Sequence, residues 1–160
     1  MGQYDVGLVC LNGHAVNSDS RSSPEHNVKF CKQCGEKTID ACPACGVAIR
    51  GSYNVAGILD MHEWPVPKHC HGCGAPYPWT ERKKEALLAG IAELDELTEA
   101  ERDKLKEAIP DVLSETPKTE TAVARYKKAI IKAGAIGGKL LNDILTKVAA
   151  EVVVKSLGIK

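Results

Sequence analysis

The stretch FCKQCGEKTIDACPACG, residues 30–46, decides the fold because it places four cysteines in two C-x-x-C steps, each followed by glycine. A third step of the same form is built from Cys70 and Cys73, and Gly74 follows it. The residue after such a pair often adopts a left-handed backbone conformation, which glycine tolerates best. The three steps therefore predict tight turns that direct pairs of sulfurs towards a common point.

The remaining cysteine, Cys10, has no C-x-x-C partner, but a histidine follows it four residues later in CLNGH. Four pairs of donors provide eight ligands, the number that two tetrahedral zinc ions require. In the cytosol cysteines stay reduced, so a patterned set indicates metal binding or catalysis rather than disulfides. We therefore predict two structural Zn²⁺ ions. Their predicted ligands are Cys10, His14, Cys31, Cys34, Cys42, Cys45, Cys70 and Cys73.

Two other uses of these cysteines are less consistent with the pattern. Thiol redox chemistry places one C-x-x-C at the start of a helix that follows a strand. None of the three pairs precedes a helical pattern, and VAIRG after CPACG is typical of a strand. Iron–sulfur ligation is the leading alternative among metals, because four cysteines also hold clusters. The histidine, the paired turns and the even spacing favour zinc.

The spacing leaves two ways to share the ligands between the ions. A sequential arrangement gives Cys10, His14, Cys31 and Cys34 to one ion and the four later cysteines to the other, which describes two zinc ribbons. An interleaved arrangement, as in RING domains, pairs the first ligand pair with the third. RING domains carry their histidine in the middle of the ligand order, which this chain does not. The spacing favours the sequential arrangement and leaves the interleaved one open.

The ligand set also bears on catalysis. A catalytic zinc keeps one position open for water and usually has histidine or carboxylate ligands. Both predicted sites are closed by four protein ligands that are mostly sulfur. The sequence shows no nucleophile paired with a base and no phosphate-binding loop. We therefore expect a protein that is not an enzyme.

The chain changes character after the last cysteine pair. We predict a small zinc-ribbon β domain over residues 1–79 and a helical domain over residues 80–160. Thr80 is a good N-cap, and Thr98 with Glu101 forms a capping box. The predicted helices span about residues 81–97, 99–109 and 117–157. Glycines at 134, 137 and 138 predict either a break in the last helix near 134–138 or a close contact with another helix.

The insertion between the second and third C-x-x-C pairs, residues 47–69, is more apolar than the other loops. It has room for two strands. Tyr53, Leu59 and Trp64 are available there for a small core or for a contact patch.

Charge is distributed unevenly along the chain, although the formal net charge is zero. Residues 81–113 carry 6 basic and 10 acidic side chains, whereas residues 114–160 carry 9 basic and 4 acidic ones. The basic stripe of the last helix consists of Lys118, Arg125, Lys128, Lys132 and Lys139. Such a stripe is usually a solvated face. It could also pair with the acidic helices or lie on an anionic membrane surface, and we favour packing or self-association through residues 117–157.

The segments CLNGH, FCKQCG, CPACG and CHGCGAPYPWTERKKEAL resemble an uncharacterised family of small bacterial proteins. Members of that family have a zinc-ribbon-like N-terminal half and a helical C-terminal half. The resemblance covers most of the chain, and its specific motifs lie in the cysteine-rich half. It implies a bacterial cytosolic protein and no particular activity.

These observations lead to one preferred function and two alternatives. The preferred function is a non-catalytic zinc-binding adaptor that binds another protein and is carried on a helical, self-associating region. The first alternative is nucleic-acid binding. Two features disfavour it: the chain has only seven aromatic residues, and residues 1–80 carry no excess of positive charge, with 6 basic and 7 acidic side chains. The second is a membrane-associated effector that acts through the C-terminal helix. The chain shows no secretory signal and no apolar run of spanning length, so we expect a cytoplasmic location.

Overall fold

The computed structural model describes residues 2–55, 57 and 64–158. The chain divides into two compact units, Met1–Glu81 and Arg82–Lys160. The first unit holds the strands and the cysteines, and the second is helical. Of the apolar residues predicted for the insertion, Leu59 lies outside the described residues.

The first unit is built from short antiparallel strands. They are β1 (Gln3–Val6), β2 (Leu8–Cys10), β3 (Ala15–Asn17), β4 (Thr38–Ile39) and β5 (Arg50–Asn54). Strand β1 pairs with β5, and β2 lies between β3 and β4. In the insertion that was expected to hold two strands, β5 is the strand that the structure describes.

Strand β2 positions the first candidate ligand. Its residues Leu8–Cys10 are all buried. Val9 pairs with Ile39, and Cys10 pairs with Thr38 on β4. The Leu11 N–H then donates to the Lys37 carbonyl at 3.0 Å. This register brings the CLNGH turn beside the turn that carries the first C-x-x-C pair.

Each C-x-x-C pair is carried by a hairpin of the same construction, over residues 29–38, 40–49 and 68–77. In each, the N–H of the first cysteine donates to the carbonyl five residues later at 2.8 Å, and the glycine N–H donates to that cysteine's carbonyl at 2.8 Å. The residue seven positions after the first cysteine closes the hairpin with an N–H···O bond of 2.8–3.1 Å. The chain therefore repeats one ten-residue unit three times.

The glycines after the pairs take the predicted left-handed conformation. Gly35, Gly46 and Gly74 have φ values of 73°, 74° and 74°. A Cβ atom at any of them would meet nothing within 4 Å. Backbone conformation, rather than crowding, is therefore the reason for glycine here.

The core of the first unit is small and includes candidate ligands. Its buried members are Val9, Cys42, Ile49, Cys70, Tyr77 and Trp79. Ile49 and Tyr77 are equivalent residues, each seven positions after the first cysteine of its hairpin. Tyr77 stacks on Trp79 with ring centroids 4.6 Å apart, and the Trp79 Nε1–H donates to the Pro67 carbonyl at 2.9 Å.

The helices are α1 (Pro78–Ala92), α2 (Glu99–Glu107), α3 (Ile109–Leu113), α4 (Thr119–Lys132), α5 (Gly134–Val148) and α6 (Glu151–Leu157). Helix α1 begins at Pro78, three residues before the predicted range, so the prediction of Thr80 as its N-cap is wrong; the Thr80 hydroxyl donates to the Lys68 carbonyl at 2.7 Å instead. The helix ends at Ala92, five residues before the end of the predicted range. The predicted capping box is present, since the Glu101 N–H donates to the Thr98 hydroxyl and the Thr98 N–H donates to the Glu101 carboxylate. Among the described residues, no helix combines the length and the apolar character that crossing a bilayer requires.

The glycine-rich stretch of the last predicted helix contains both a break in the helix and a close helix contact, the two alternatives that the sequence left open. Gly134 has φ 68° and separates α4 from α5. Gly138 lies within α5, where a Cβ atom would come 2.5 Å from the Ile130 carbonyl oxygen of α4. The sequence thus provides a corner at one glycine and a close helix contact at the other.

A second division of the predicted helix 117–157 was not expected from the sequence. Ala149 has an extended backbone, with ψ 160°, and Ala150 then caps α6. The Ala150 N–H donates to the Val112 carbonyl at 2.8 Å. A tertiary hydrogen bond therefore replaces the helical one, and alanine carries no signal of such a break.

The core of the helical unit is formed by buried apolar side chains from its helices. Tyr126 is fully buried, and its hydroxyl donates to the Leu105 carbonyl at 3.0 Å, which links α4 to α2. Leu141 and Leu145 of α5 are also fully buried. These contacts give the second unit a core that contains none of the candidate metal ligands.

Adjacent leucines on α5 provide a matched test of this core. Leu141 is 0% exposed, whereas Leu140 is 39% exposed. We expect Leu141→Ala to lower the free energy of unfolding by about 3 kcal/mol, because it leaves a cavity, and Leu140→Ala to lower it by less than about 1 kcal/mol. Chemical denaturation followed by far-ultraviolet circular dichroism measures both. Equal losses would contradict the assignment of the buried face.

The Glu101–Lys132 ion pair makes the helical unit sensitive to acid. Lys132 Nζ lies 2.6 Å from Glu101 Oε1. Lys132 first, and then the Thr98 N–H, lower the pKa of Glu101 to about 2 from the ordinary 4.5. Because the pKa of Glu101 is lower in the folded state than in the unfolded state, the ionised carboxylate stabilises the folded state at pH values above about 4.5. This contribution is lost as the pH falls from about 4.5 towards 2.

We therefore expect Glu101→Gln to weaken that part of the acid dependence. The parent chain and the variant should differ in their denaturation midpoints, and this difference should shrink as the pH falls from about 4.5 to 2. Denaturation series at several pH values, followed by far-ultraviolet circular dichroism, measure it. Glu85→Gln serves as the control, because Glu85 is exposed on α1 and the substitution removes the same charge. A difference that stays constant with pH would contradict the assignment.

Candidate metal centres

The first candidate centre gathers donors from the CLNGH turn and the first C-x-x-C hairpin. Cys10 Sγ lies 3.4 Å from His14 Nδ1 and 3.7 Å from Cys34 Sγ. Cys31 Sγ lies 3.6 Å from the same imidazole nitrogen. The four donor atoms all lie within 4.8 Å of one another. Cys10 and Cys31 are buried, whereas Cys34 is at the surface.

The second candidate centre joins the second and third hairpins. Cys42 Sγ lies 3.9 Å from Cys73 Sγ, and Cys45 Sγ lies 3.6 Å from Cys70 Sγ. These four sulfurs also lie within 4.8 Å of one another. The first cysteine of each pair is buried and the second is exposed. The shared pattern follows from the shared hairpin geometry.

These distances fit a tetrahedral metal and not a disulfide. Metal–sulfur bonds of about 2.3 Å place the sulfurs of a tetrahedron about 3.8 Å apart, whereas disulfide sulfurs lie about 2.05 Å apart. The Sγ atoms of the pairs Cys10–Cys34, Cys42–Cys73 and Cys45–Cys70 lie 3.6–3.9 Å apart. All seven cysteines are free thiols. The donor sets therefore suit a thiophilic, tetrahedral cation such as Zn²⁺.

The grouping is that of the sequential arrangement. Within the described residues, the groups that could hold a metal combine the first ligand pair with the second and the third with the fourth. The interleaved arrangement would need Cys10 and His14 beside the second hairpin. The β2–β4 pairing instead places them beside the first.

A comparison with known families places the whole chain. The family described as an uncharacterized protein conserved in bacteria (DUF2321) matches residues 3–157. The chain belongs to this family. The match confirms the resemblance drawn from the cysteine motifs, because it spans both the cysteine-rich part and the helices. No curated protein and no solved structure matches the chain.

In this member of the family, backbone amides surround the sulfurs. The His14 N–H donates to Cys10 Sγ at 3.3 Å, and the Gly72 N–H donates to Cys70 Sγ at 3.3 Å. The Glu36 N–H, ahead of other causes, lowers the pKa of Cys34 to about 6. Amide hydrogen bonds likewise lower the pKa of Cys70 to about 6. One thiolate per centre is therefore favoured near neutral pH even before a cation adds its charge.

Further deprotonation is opposed by the neighbouring sulfurs. The Val47 N–H lowers the pKa of Cys45, but the neighbours Cys73 and Cys70, together with burial, raise it to about 12 overall. Burial raises the pKa of Cys10. Crowded thiolates repel one another, and a divalent cation relieves that repulsion. The arrangement is thus electrostatically suited to a cation.

The histidines beside the third pair stay outside both donor groups. His69 and His71 flank Cys70 in the sequence, and both are exposed. Neither belongs to a group of donors that could hold a metal. Both are therefore surface residues on an exposed turn.

Sequence reasoning did not identify Tyr77 as part of the second centre. Its hydroxyl is buried without a hydrogen bond of good geometry. Burial first, and then the negative charge of Cys70, raise its pKa. The ring stays a neutral, apolar wall beside the sulfurs. The available signal was its position, seven residues after Cys70, which matches that of Ile49 after Cys42.

Proposed function

We propose that this chain is a non-catalytic, zinc-stabilised module that recognises another protein. The supporting observation is the closed donor set of each centre, in which four protein groups fill the positions that a tetrahedral ion offers. Catalytic zinc needs an open position, and thiolates reduce its Lewis acidity. A zinc ion in either cage would therefore stabilise the fold.

The surface proposed for recognition is a tyrosine–arginine patch on the β1–β5 pair, formed by Tyr4, Arg50 and Tyr53. Tyr4 and Tyr53 are cross-strand partners with ring centroids 4.9 Å apart. Arg50 Cζ lies 4.8 Å from the centroid of the Tyr4 ring. The two tyrosines are 52% and 47% exposed. Tyrosine and arginine are the residue types enriched at the energetic centres of protein interfaces.

The patch suits a protein segment that presents an apolar side chain and a carboxylate. The rings offer apolar area at little entropic cost, and the guanidinium offers a planar fork for a carboxylate. Nucleic acid is the less suitable occupant. Seven thiolates and two Zn²⁺ ions together carry a charge of about −3, which would repel a phosphate backbone.

A site-specific photo-crosslinker at position 53 tests this proposal in a bacterium that carries the gene. We expect a cross-link to a defined protein, and loss of that cross-link when Tyr4→Thr and Arg50→Gln are combined with it. A crosslinker at Lys155, on the helical unit, is the control. Absence of any product above the Lys155 level would contradict protein recognition by the patch. A nuclease-sensitive product would support the nucleic-acid alternative instead.

A second candidate function, attachment to an anionic membrane surface, is favoured by the corner between α4 and α5. Ile131 and Ile136 are 80% and 86% exposed on either side of Gly134. Lys139 and Lys132, of which Lys132 is ion-paired with Glu101, are close to them in the sequence and are exposed. Exposed apolar side chains with lysines nearby are suited to binding anionic bilayers.

Flotation with anionic and with neutral vesicles tests the corner in the full chain. We expect flotation with the anionic vesicles and its loss in Ile131→Gln/Ile136→Gln, but not in Leu88→Gln, which alters an exposed apolar residue on α1. Equal behaviour of all three proteins would exclude the corner. Self-association through residues 117–157 stays a separate prediction, and sedimentation of the full chain as a monomer would contradict it.

A further inference from the structure

The helical unit contains a groove that neither the metal centres nor the proposed function uses. It lies between α2 and α4 and has a volume of about 400 Å³. Leu97, Leu105 and Ala129 form its apolar lining, and all three are buried. A space of this size with an apolar floor falls in the range of small-ligand sites.

The rim of the groove is strongly basic. Lys104 from α2 and Arg125, Lys128 and Lys132 from α4 line it, with Glu101 as the accompanying acidic residue. Glu101 is already engaged by Lys132. The groove therefore keeps three positive charges that no carboxylate lining it compensates.

These three cations are also without partners elsewhere in the part of the chain that the structure describes. No side-chain hydrogen bond or ion pair within the described residues involves Lys104, Arg125 or Lys128. Arg125 and Lys128 are three residues apart on α4, so they project from the same face. Like charges held close together without counter-charges destabilise a surface, and an anion seated between them removes that cost.

A phosphoryl group matches this arrangement better than a lone carboxylate does. A guanidinium binds phosphate oxygens through two parallel hydrogen bonds, and lysines add point charges around it. Several uncompensated cations call for a multiply charged anion. The buried apolar floor leaves room for the rest of the ligand.

We propose that the α2–α4 groove binds the phosphoryl or pyrophosphoryl group of a small molecule or of a lipid headgroup. Lys104, Arg125 and Lys128 bind the anion. The Glu101–Lys132 pair closes one end of the rim and fixes Lys132 in place. This inference does not depend on protein recognition by the first unit or on membrane contact at the α4–α5 corner.

An amide-detected NMR titration of the full, zinc-loaded chain with pyrophosphate tests the site. We expect saturable shifts confined to residues 101–107 and 125–132. In Arg125→Gln/Lys128→Gln the dissociation constant should rise about tenfold or more, because two charge-assisted contacts are lost. Tryptophan emission, recorded alongside, shows that the cysteine-rich unit stays folded in the presence of pyrophosphate.

Lys127→Gln is the matched control, since Lys127 is exposed on the same helix but does not line the groove. A groove site predicts a change of less than about threefold for this variant. Equal weakening by Lys127→Gln and by the double variant would show diffuse attraction and overturn the proposal. Shifts spread over the whole helical surface would overturn it as well.

Vesicles containing phosphatidic acid form the second arm and distinguish the source of the phosphoryl group. Binding to pyrophosphate assigns a soluble ligand. Binding to these vesicles alone, lost in Arg125→Gln/Lys128→Gln but kept in Lys127→Gln and in Ile131→Gln/Ile136→Gln, assigns a lipid headgroup. Failure of both probes to bind in the groove would overturn the proposal.

Discussion

Chelation of the metal under reducing conditions is expected to unfold the cysteine-rich unit while the helical unit keeps its structure. The core of the first unit is small, and Cys42 and Cys70 are themselves part of it. In zinc-finger peptides the binding of structural zinc supplies about 10–16 kcal/mol of folding free energy. The helical core contains no candidate ligand, so its stability does not depend on the ion.

The chain carries separate reporters for the two units. Its two tryptophans, Trp64 and Trp79, both lie in the first unit. Trp79 is buried, and it stacks on Tyr77. Chelation should therefore shift tryptophan emission to longer wavelength while far-ultraviolet circular dichroism retains most of its helical signal. Restoration by Zn²⁺ and not by Mg²⁺ is the control, since thiolates do not suit magnesium. Unchanged emission after complete metal removal would contradict the assignment.

Replacing a single ligand in either centre is expected to lower the metal content from two ions to one per chain. Cys70→Ser affects the second centre, and His14→Gln affects the first, because each removes one of four donors. Loss of a ligand to structural zinc typically unfolds the local site, so we also expect a large fall in stability, of about 3 kcal/mol or more. Native mass spectrometry counts the ions that each variant retains.

His71→Gln is the matched control for both variants. It changes a residue next to Cys70 that is exposed and outside the donor groups, and it should retain two ions with little change in stability. Loss of both ions on either single substitution would contradict two independent centres, and a binuclear centre with bridging sulfurs would produce that result. Retention of two ions in Cys70→Ser would remove that cysteine from the ligand set.

The donor set and the turns could be predicted from sequence because each depends on local rules. A C-x-x-C step with a following glycine fixes its own geometry, as the φ of 73–74° at Gly35, Gly46 and Gly74 shows. The capping box at Thr98 and Glu101 is equally local. Short-range hydrogen bonds suffice for such features, so three or four letters of sequence carry the information.

The grouping of the ligands needed information that the sequence does not display locally. The β2–β4 register places Cys10 beside Thr38, and Cys10 therefore lies next to the first hairpin, which provides Cys31 and Cys34. Strand β4 is only two residues long, so its pairing with β2 produces no strong hydrophobic periodicity in the sequence. The sequence could favour the sequential arrangement on spacing, but strand register is what produces it in the fold.

The helical unit departs from prediction where tertiary bonds replace helical ones. Ala149 and Ala150 are good helix formers, yet the Ala150 N–H bonds to Val112 and the chain turns there. Helix α1 also ends early, at Ala92, and Leu94 and Leu97 are buried in the local turns that follow it. Apolar side chains can be buried from a helix or from a turn, so their spacing does not specify which backbone conformation buries them.

The most direct test of two closed, sulfur-rich zinc centres is the elemental composition of full-length protein purified without added metal. The predicted result is two zinc atoms per chain, with no iron and no visible absorption. Protein that is folded over residues 2–81 but contains no zinc, or that contains iron with acid-labile sulfide, would contradict the assignment of the eight ligands to structural zinc.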